Sequence, residues 1–268
     1  MNGYIRVERQ RARLTVTLDH QPTRNALTAP LAAELQAVLN EAAADRTLQT
    51  LILRGANGSF CAGADLKTAL TRMEQPVSPG EPDPVAADNR HAGLLFQSLN
   101  SHPQTVIAIV DGPAFGGGFG LACCADIVIC TSRARFALSE TGLGLPPAQI
   151  APYVVSRLGL RTTRRLALTG LRFDGREAAA IGLADYFCET EVDLEVTLTA
   201  LLKGIGRCAP GANAVTKDLL LSLSPAGGDA YLDRAAAAFA TCLRSAEGRE
   251  GVAAFNGKRA ANWVDDLS

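Results

Sequence analysis

The residues with the clearest chemical meaning are glycines. Val110-Asp111-Gly112-Pro113-Ala114-Phe115-Gly116-Gly117-Gly118-Phe119-Gly120-Leu121 joins an apolar run to a glycine cluster, and a second apolar run follows. Without a Cβ, glycine lets a ligand approach the backbone and lets amides point outward. A helix starting there adds partial positive charge at its N-terminus. Such a place stabilises an oxyanion or holds a phosphate. Three familiar glycine motifs do not fit. The dinucleotide fingerprint G-x-G-x-x-G loses its third glycine in Gly118-Phe119-Gly120-Leu121-Ala122-Cys123, and no Gly-Lys-Ser/Thr closes a P-loop. The chain has no G-x-S-x-G elbow of a serine hydrolase. A second segment, Gly58-Ser59-Phe60-Cys61-Ala62-Gly63-Ala64-Asp65-Leu66, again places small residues after an apolar run. Two such segments can bring two amides onto one carbonyl oxygen, which is the geometry of an oxyanion hole.

The elements that position these segments follow from hydrophobic patterning. Leu14–Leu18 alternates as a half-buried strand, and Asp19-His20-Gln21-Pro22 turns the chain. Thr28 is placed to cap a helix that carries Leu31, Leu35, Val38 and Ala42 on one face, with Pro30 tolerated in its first turn. Thr50–Leu53, Thr105–Val110, Asp126–Cys130, Arg135–Leu138 and Leu183–Phe187 read as strands. Asp174-Gly175-Arg176-Glu177 fits a capping box for a helix that stops near Gly182. The proline-rich, acidic stretch 74–88 predicts an exposed loop without regular structure, acting as a lid. From about Val192 the pattern is helical to the end. Alternating strands and helices followed by helices alone predict an α/β core at 1–200 with a helical appendage at 201–268.

Composition narrows the function further. The chain has 268 residues, 47% of them hydrophobic, and a formal net charge of −1. That balance gives no electrostatic footprint for nucleic acid or an anionic membrane surface. No stretch is apolar enough to span a bilayer, and the N-terminus has no apolar signal core. The seven cysteines lie mostly in apolar runs and lack C-x-x-C or Cys/His metal spacing, which predicts buried free thiols in a reducing, cytoplasmic compartment. His20, His91 and His102 are scattered, so neither a metal nor a redox cofactor is expected.

Together, Ser59–Leu66 and Gly112–Gly118 resemble the signature of the crotonase (enoyl-CoA hydratase/isomerase) family. Arg24-Asn25-Ala26-Leu27, Ala125-Asp126-Ile127 and the tail Phe255-Asn256-Gly257-Lys258-Arg259 extend the likeness over nearly the whole chain. The resemblance implies a spiral of β-β-α turns with C-terminal helices that build homotrimers, often paired into hexamers. It implies an acyl-CoA thioester as substrate, with coenzyme A a part of that substrate and no separate cofactor. By position, the amides of Ala64 and Gly117 match the oxyanion hole. Arg24, Ala26, Ala62, Asp65 and Leu66 match segments that cradle CoA. Phe255 and Lys258 match an F-x-x-K pattern that reaches a neighbouring subunit's CoA.

Many hydratases of the family use two glutamates. Glu140 stands at the second of those positions, and Gly120 occupies the first. The departure predicts room beside Glu140 that a bulky or carboxylated acyl chain can use. Gly120-Leu121 together with Leu145–Val154 resembles a subgroup hydrating branched glutaconyl-CoA esters, isohexenylglutaconyl-CoA and 3-methylglutaconyl-CoA among them, in acyclic terpene or leucine-type breakdown. Lys67, Arg72 and Arg90 are candidates to meet the second carboxylate of such a substrate. An enoyl-CoA isomerase with one base, or a family member that only binds CoA esters, are the competing expectations.

Overall fold

The computed structural model describes residues 3–65, 83–223 and 229–264. Two sheets of unequal size carry the chain. The larger has the order β1 (Ile5–Gln10), β2 (Arg13–Leu18), β3 (Thr50–Gly55), β4 (Thr105–Val110), β6 (Ile127–Thr131), β9 (Tyr186–Cys188). β1 and β2 form an antiparallel hairpin, and every later pairing is parallel. The smaller sheet has the order β5 (Pro113–Phe115), β7 (Arg135–Ala137), β8 (Arg172–Asp174).

The apolar runs of β3 and β4 reflect burial on both faces. Successive side chains alternate. Leu51, Leu53, Val106, Ala108 and Val110 therefore face one core, together with α1 (Ala29–Ala44), α2 (Pro84–Asn100) and α3 (Gly117–Cys124). Ile52, Ile107 and Ile109 face the other, where α6 (Glu191–Ile205) lays Leu194, Leu198 and Leu202 against them. Helix α6 thus runs across residue 200 while still packing on the sheet.

A repeat appears in three dimensions that the sequence hides. β4 leads to β5 and then α3; β6 leads to β7 and then α4 (Ala151–Thr169). β3 leads to Cys61, which bridges to Ala114 of the small sheet, and onward to α2. This β-β-α progression is the crotonase fold. Phe119, Phe136 and Phe173 lock the small sheet to α3, with ring centroids 5.6 to 6.1 Å apart.

Several expectations are met closely. Thr28 caps α1 through the Leu31 amide, and Asp174 caps α5 (Gly175–Ala180) through the Glu177 amide at 2.9 Å. Leu31, Leu35, Leu39 and Ala42 form the buried stripe of α1, with Val38 at its edge. Others are corrected. Residues 84–88 are the first turn of α2, not loop. Pro84 sits at a helix start, where its missing N–H costs nothing, and Asp83 accepts from the Val85 amide at 2.8 Å. Residues 66–82, and with them Leu66, Lys67, Arg72 and most of the expected lid, lie outside the described residues. The strand expected at Leu183–Phe187 forms only at Tyr186–Cys188.

The tail helices α7 (Pro210–Leu221), α8 (Asp229–Arg244) and α9 (Ala246–Asn256) line one cavity with Leu48, Gln49, Pro103 and Gln104, just before β3 and β4 at the N-terminal edge of the large sheet. Lys217 pins α7 there, donating to the carbonyls of His102 and Gln104 at 2.7 Å and to Asp126 at 2.5 Å. Burial holds the Lys217 ammonium below its ordinary pKa. Gln49, just before β3, donates to the Trp263 carbonyl at 3.1 Å. All seven cysteines are free, and five of them are buried.

Candidate active site

The loops after β3 and β4 leave the sheet at its C-terminal edge, opposite the tail. They are stitched together by backbone. The Phe60 and Cys61 amides both donate to the Pro113 carbonyl at 3.0 Å, and the Phe115 amide donates to the Cys61 carbonyl at 3.0 Å. Gly63 and Gly118 permit this closeness. A methyl group on Gly118 would stand 2.2 Å from the Cys61 oxygen. One on Gly63 would stand 2.7 Å from the Phe115 oxygen and 3.4 Å from the Gly117 nitrogen.

Two peptide planes in these loops are aimed by their carbonyls. The Gly63 carbonyl accepts from the Leu27 amide at 2.8 Å. In a planar trans peptide the N–H points opposite to the C=O, so the Ala64 N–H faces away from Leu27. The Gly116 carbonyl accepts from the Gly120 amide at 3.0 Å and closes the first turn of α3. The Gly117 N–H, in the same peptide plane, therefore points out of the helix N-terminus, where the dipole adds positive character. Gly116 makes the turn with φ 49° and ψ −115°, a conformation open to glycine alone.

Glu140 comes to the same place from β7. The Gly116 amide donates to the Ala137 carbonyl at 3.0 Å, tying the glycine turn to the end of that strand. A Cβ on Gly116 would lie 3.2 Å from Oε1 of Glu140. The carboxylate thus sits over the turn that presents Gly117. Its other oxygen, Oε2, is buried and has no hydrogen-bond partner among the described residues. Burial raises the Glu140 pKa, opposed by backbone amide contacts of Glu140 and Ser139. A short 3-10 turn at Glu140–Leu143 holds it; Thr141 donates to the Ala167 carbonyl at 2.7 Å, and Gly144 closes the turn with φ 75°.

A residue that sequence reasoning passed over positions the first loop. Asn25 is fully buried with φ 60°, in the left-handed region that asparagine tolerates. Its Nδ2 donates to the Ser59 carbonyl at 2.8 Å and the Ala56 carbonyl at 3.2 Å, while Oδ1 accepts from the His20 amide at 2.8 Å. The Arg24 carbonyl receives the Ala62 amide at 3.1 Å and the Ser59 hydroxyl at 3.2 Å. Arg24, Ala26 and Ala62 are thereby brought beside Ala64, and Asp65 follows directly. The Arg24 side chain is exposed and makes no ion pair with any described residue. Its place between Arg24 and Ala26 was the available signal for Asn25.

Gly120 differs from expectation. It is buried, and no room lies beside it. A Cβ there would meet Ile150 Cγ2 at 2.2 Å, Ile150 Cβ at 2.8 Å and Phe96 Cε1 at 3.2 Å. The glycine lets α3 pack against the start of α4. Leu27 and Phe96 also border Gly117, at 2.9 and 3.7 Å from a Cβ built there.

The remaining predicted residues are elsewhere. Phe255 and Lys258 are exposed at the end of α9, which lines a cavity of about 950 Å³ with Gln49 and Pro103 at the opposite edge of the sheet. That cavity contains none of the residues around Glu140. Arg90 is exposed on α2. Cys61 is no nucleophile, because burial pushes its thiol up to about 12. Among the described residues no helix is long and apolar enough to cross a membrane, and no three His, Cys, Asp or Glu side chains group to hold a metal.

A buried carboxylate over a glycine turn, carried on a β-β-α spiral, fits a family that similarity to known proteins identifies. Residues 8–266 match the family model "Enoyl-CoA hydratase/isomerase", and the chain belongs to that family. It is 43% identical to AtuE of Pseudomonas aeruginosa, covering 98% of this chain and 100% of that one with a TM-score of 0.91. It is 41% identical to an enoyl-CoA hydratase/isomerase from Marinobacter aquaeolei, covering 98% and 99% with a TM-score of 0.91. Enoyl-CoA hydratase AFT6-1 of Alternaria alternata is 30% identical over 266 residues, 98% of this chain and 84% of its own. The chain is an enzyme of the enoyl-CoA hydratase type.

Proposed function

We propose that the enzyme adds water to the double bond of a branched glutaconyl-type enoyl-CoA, isohexenylglutaconyl-CoA foremost, with Glu140 as the proton carrier. The observation that carries this reading is the buried Oε2 of Glu140 beside the glycine turn, which has no hydrogen-bond partner among the described residues. A buried acceptor without a donor calls for a water or substrate proton. In the proposed step, Glu140 takes a proton from water as its oxygen bonds to C3. The C2–C3 π electrons move into the thioester, and the Ala64 and Gly117 amides hold the resulting oxyanion. Glu140 then returns the proton to C2, so that one carboxylate serves as base and acid in turn.

Further features support a branched, long substrate. Leu143 and Leu145 follow Glu140 and are 56% and 49% exposed, which offers apolar surface to an acyl chain. Arg24 offers an exposed guanidinium to the phosphates of CoA, with Ala26, Ala62 and Asp65 beside it; Leu66 enters the reading by its place in the sequence. A distal carboxylate on the substrate would give the water a second hydrogen-bond partner where the protein supplies one glutamate. Phe255 and Lys258 lie at the far edge of their own subunit's sheet, so the reading has them serve a neighbour within a homotrimer or hexamer. On this reading the enzyme acts in the breakdown of acyclic terpenes or of leucine-type carbon skeletons.

Isomerisation of the double bond is favoured by the same lone carboxylate, which can shuttle a proton between C2 and C4. Purified enoyl-CoA esters separate the two. Hydration adds one water by mass and removes absorbance of the conjugated thioester; isomerisation leaves the mass unchanged and creates that absorbance from a 3-enoyl ester. Turnover of neutral straight-chain esters in preference to the branched dicarboxylic ones would refute the substrate assignment.

A further inference from the structure

We infer that Ile150 is a specificity-determining residue: it fills the volume that a side chain at position 120 would need, and so holds the site to one carboxylate. The inference rests on the hydratase reading above for its consequence, though not for its geometry.

The packing is closed from both sides. Ile150 is 4% exposed, and both its Cγ2 and its Cβ stand closer than 3.0 Å to the point where a Cβ on Gly120 would be. Its backbone is held by the helix it starts: Ile150 is the N-cap of α4, its carbonyl accepts from the Tyr153 and Val154 amides at 3.1 Å, and the Ala151 amide donates to the Pro147 carbonyl at 3.0 Å. Helix α3 cannot retreat either, because Gly118 is pressed against the Cys61 carbonyl. Above Gly120 the wall is therefore apolar, made of Ile150 and Phe96. A water beside Glu140 gains no second polar partner from that wall. A substrate bringing its own polar group is favoured over a plain enoyl chain.

Two measurements test this. Alanine in place of a helical glycine normally stabilises. Here Gly120→Ala should lower Tm, by roughly 3–8 °C, because the methyl collides with Ile150. In an Ile150→Gly background, where glycine is an accepted N-cap residue, the same substitution should raise Tm. A rise in both backgrounds overturns the inference. The second measurement is kcat/KM for crotonyl-CoA divided by that for a branched glutaconyl-type ester. Gly120→Glu with Ile150→Gly should raise this ratio at least ~10-fold over Ile150→Gly alone, since the new carboxylate orients water and repels the substrate's own. An unchanged ratio, with both esters hydrated, overturns the role of Ile150 in specificity. Failure of the wild-type enzyme to hydrate any ester overturns the hydratase reading instead, and the melting data still judge the packing.

Discussion

Removing the Asn25 side chain should damage stability and rate together, although Asn25 is fully buried. Asn25→Ala orphans the His20 amide, whose described partner is Oδ1, and strips the Ser59 carbonyl of its donor at 2.8 Å. The Ala56 carbonyl keeps a second donor, the Ser59 amide, and is counted as satisfied. The buried Ser59 carbonyl and the part-buried His20 amide, left unpaired, cost about 1–3 kcal/mol each, and the Phe60 carbonyl loses a weaker contact at 3.4 Å. Alanine at φ 60° adds about 1 kcal/mol of backbone strain. The sum, about 3–5 kcal/mol allowing for water at the half-buried His20, lowers Tm by roughly 6–15 °C in a chain of this size. The Gly63–Ala64 peptide loses its brace as well, and displacement by about 1 Å costs up to ~10² in kcat. Asn25→Gly separates the causes, because glycine keeps the positive φ without strain and should recover about 1 kcal/mol of the loss. The assays are thermal melts and initial rates with the preferred enoyl-CoA. An Asn25→Ala enzyme melting within about 2 °C of wild type at unchanged kcat would falsify the clamp.

Glu140→Gln should reduce kcat by ~10²–10⁴ while the CoA ester still binds. Burial raises the folded-state pKa of Glu140, so its ionisation works against folding. Stability linked to the group is complete below its unfolded value and lost as pH rises through the folded one. Glu140→Gln should accordingly melt above wild type in mildly alkaline buffer, with the gap closing in acid; a variant no more stable at any pH contradicts this. In the wild type the acid limb of kcat/KM should lie above the ordinary glutamate range, and a limb inside that range counts against Glu140 as the base. Gly117→Pro removes one amide at a helix position that accepts proline, and the crowded neighbour is the flexible end of Leu27. Its kcat should fall roughly 10²–10³-fold with the fold retained by circular dichroism, and native activity would move the oxyanion elsewhere. Co-expressing Lys258→Ala with Glu140→Gln chains should restore the low KM in a fraction of sites if the tail serves a neighbour, and leave it raised if the tail acts within its own subunit.

The strand-to-helix glycine cluster was legible because glycine types report backbone geometry directly, and Gly116 does adopt a conformation that only glycine reaches. Strand β1 was invisible for the opposite reason. It is an edge strand with Ile5 alone buried, and its alternation, Ile5-Arg6-Val7-Glu8, stops after four residues before a polar run. Helix α2 was misread at its start because proline and aspartate are loop formers in composition and helix starters in position. Asn25 and Ile150 act through partners 31 to 35 and 30 residues away, distances across which no local pattern speaks. Gly120 shows the limit most clearly. An absent side chain in a motif says nothing about whether its volume stays empty, and here a neighbour filled it.

The buried thiols give the protein a reporter of its own opening. Burial pushes Cys61, Cys123 and Cys130 up to about 12 and Cys124 higher still, so none of them offers a thiolate near neutral pH. Cys208 is exposed and Cys242 partly so. A thiol reagent should therefore label one or two positions at once and the remainder only as fast as the core breathes. Cys61 lies in the loop that presents Ala64, and Cys123 and Cys124 end the helix that Gly117 begins. The slow labelling rates at these positions time the opening of the two segments proposed to hold the oxyanion separately, within one unmodified chain.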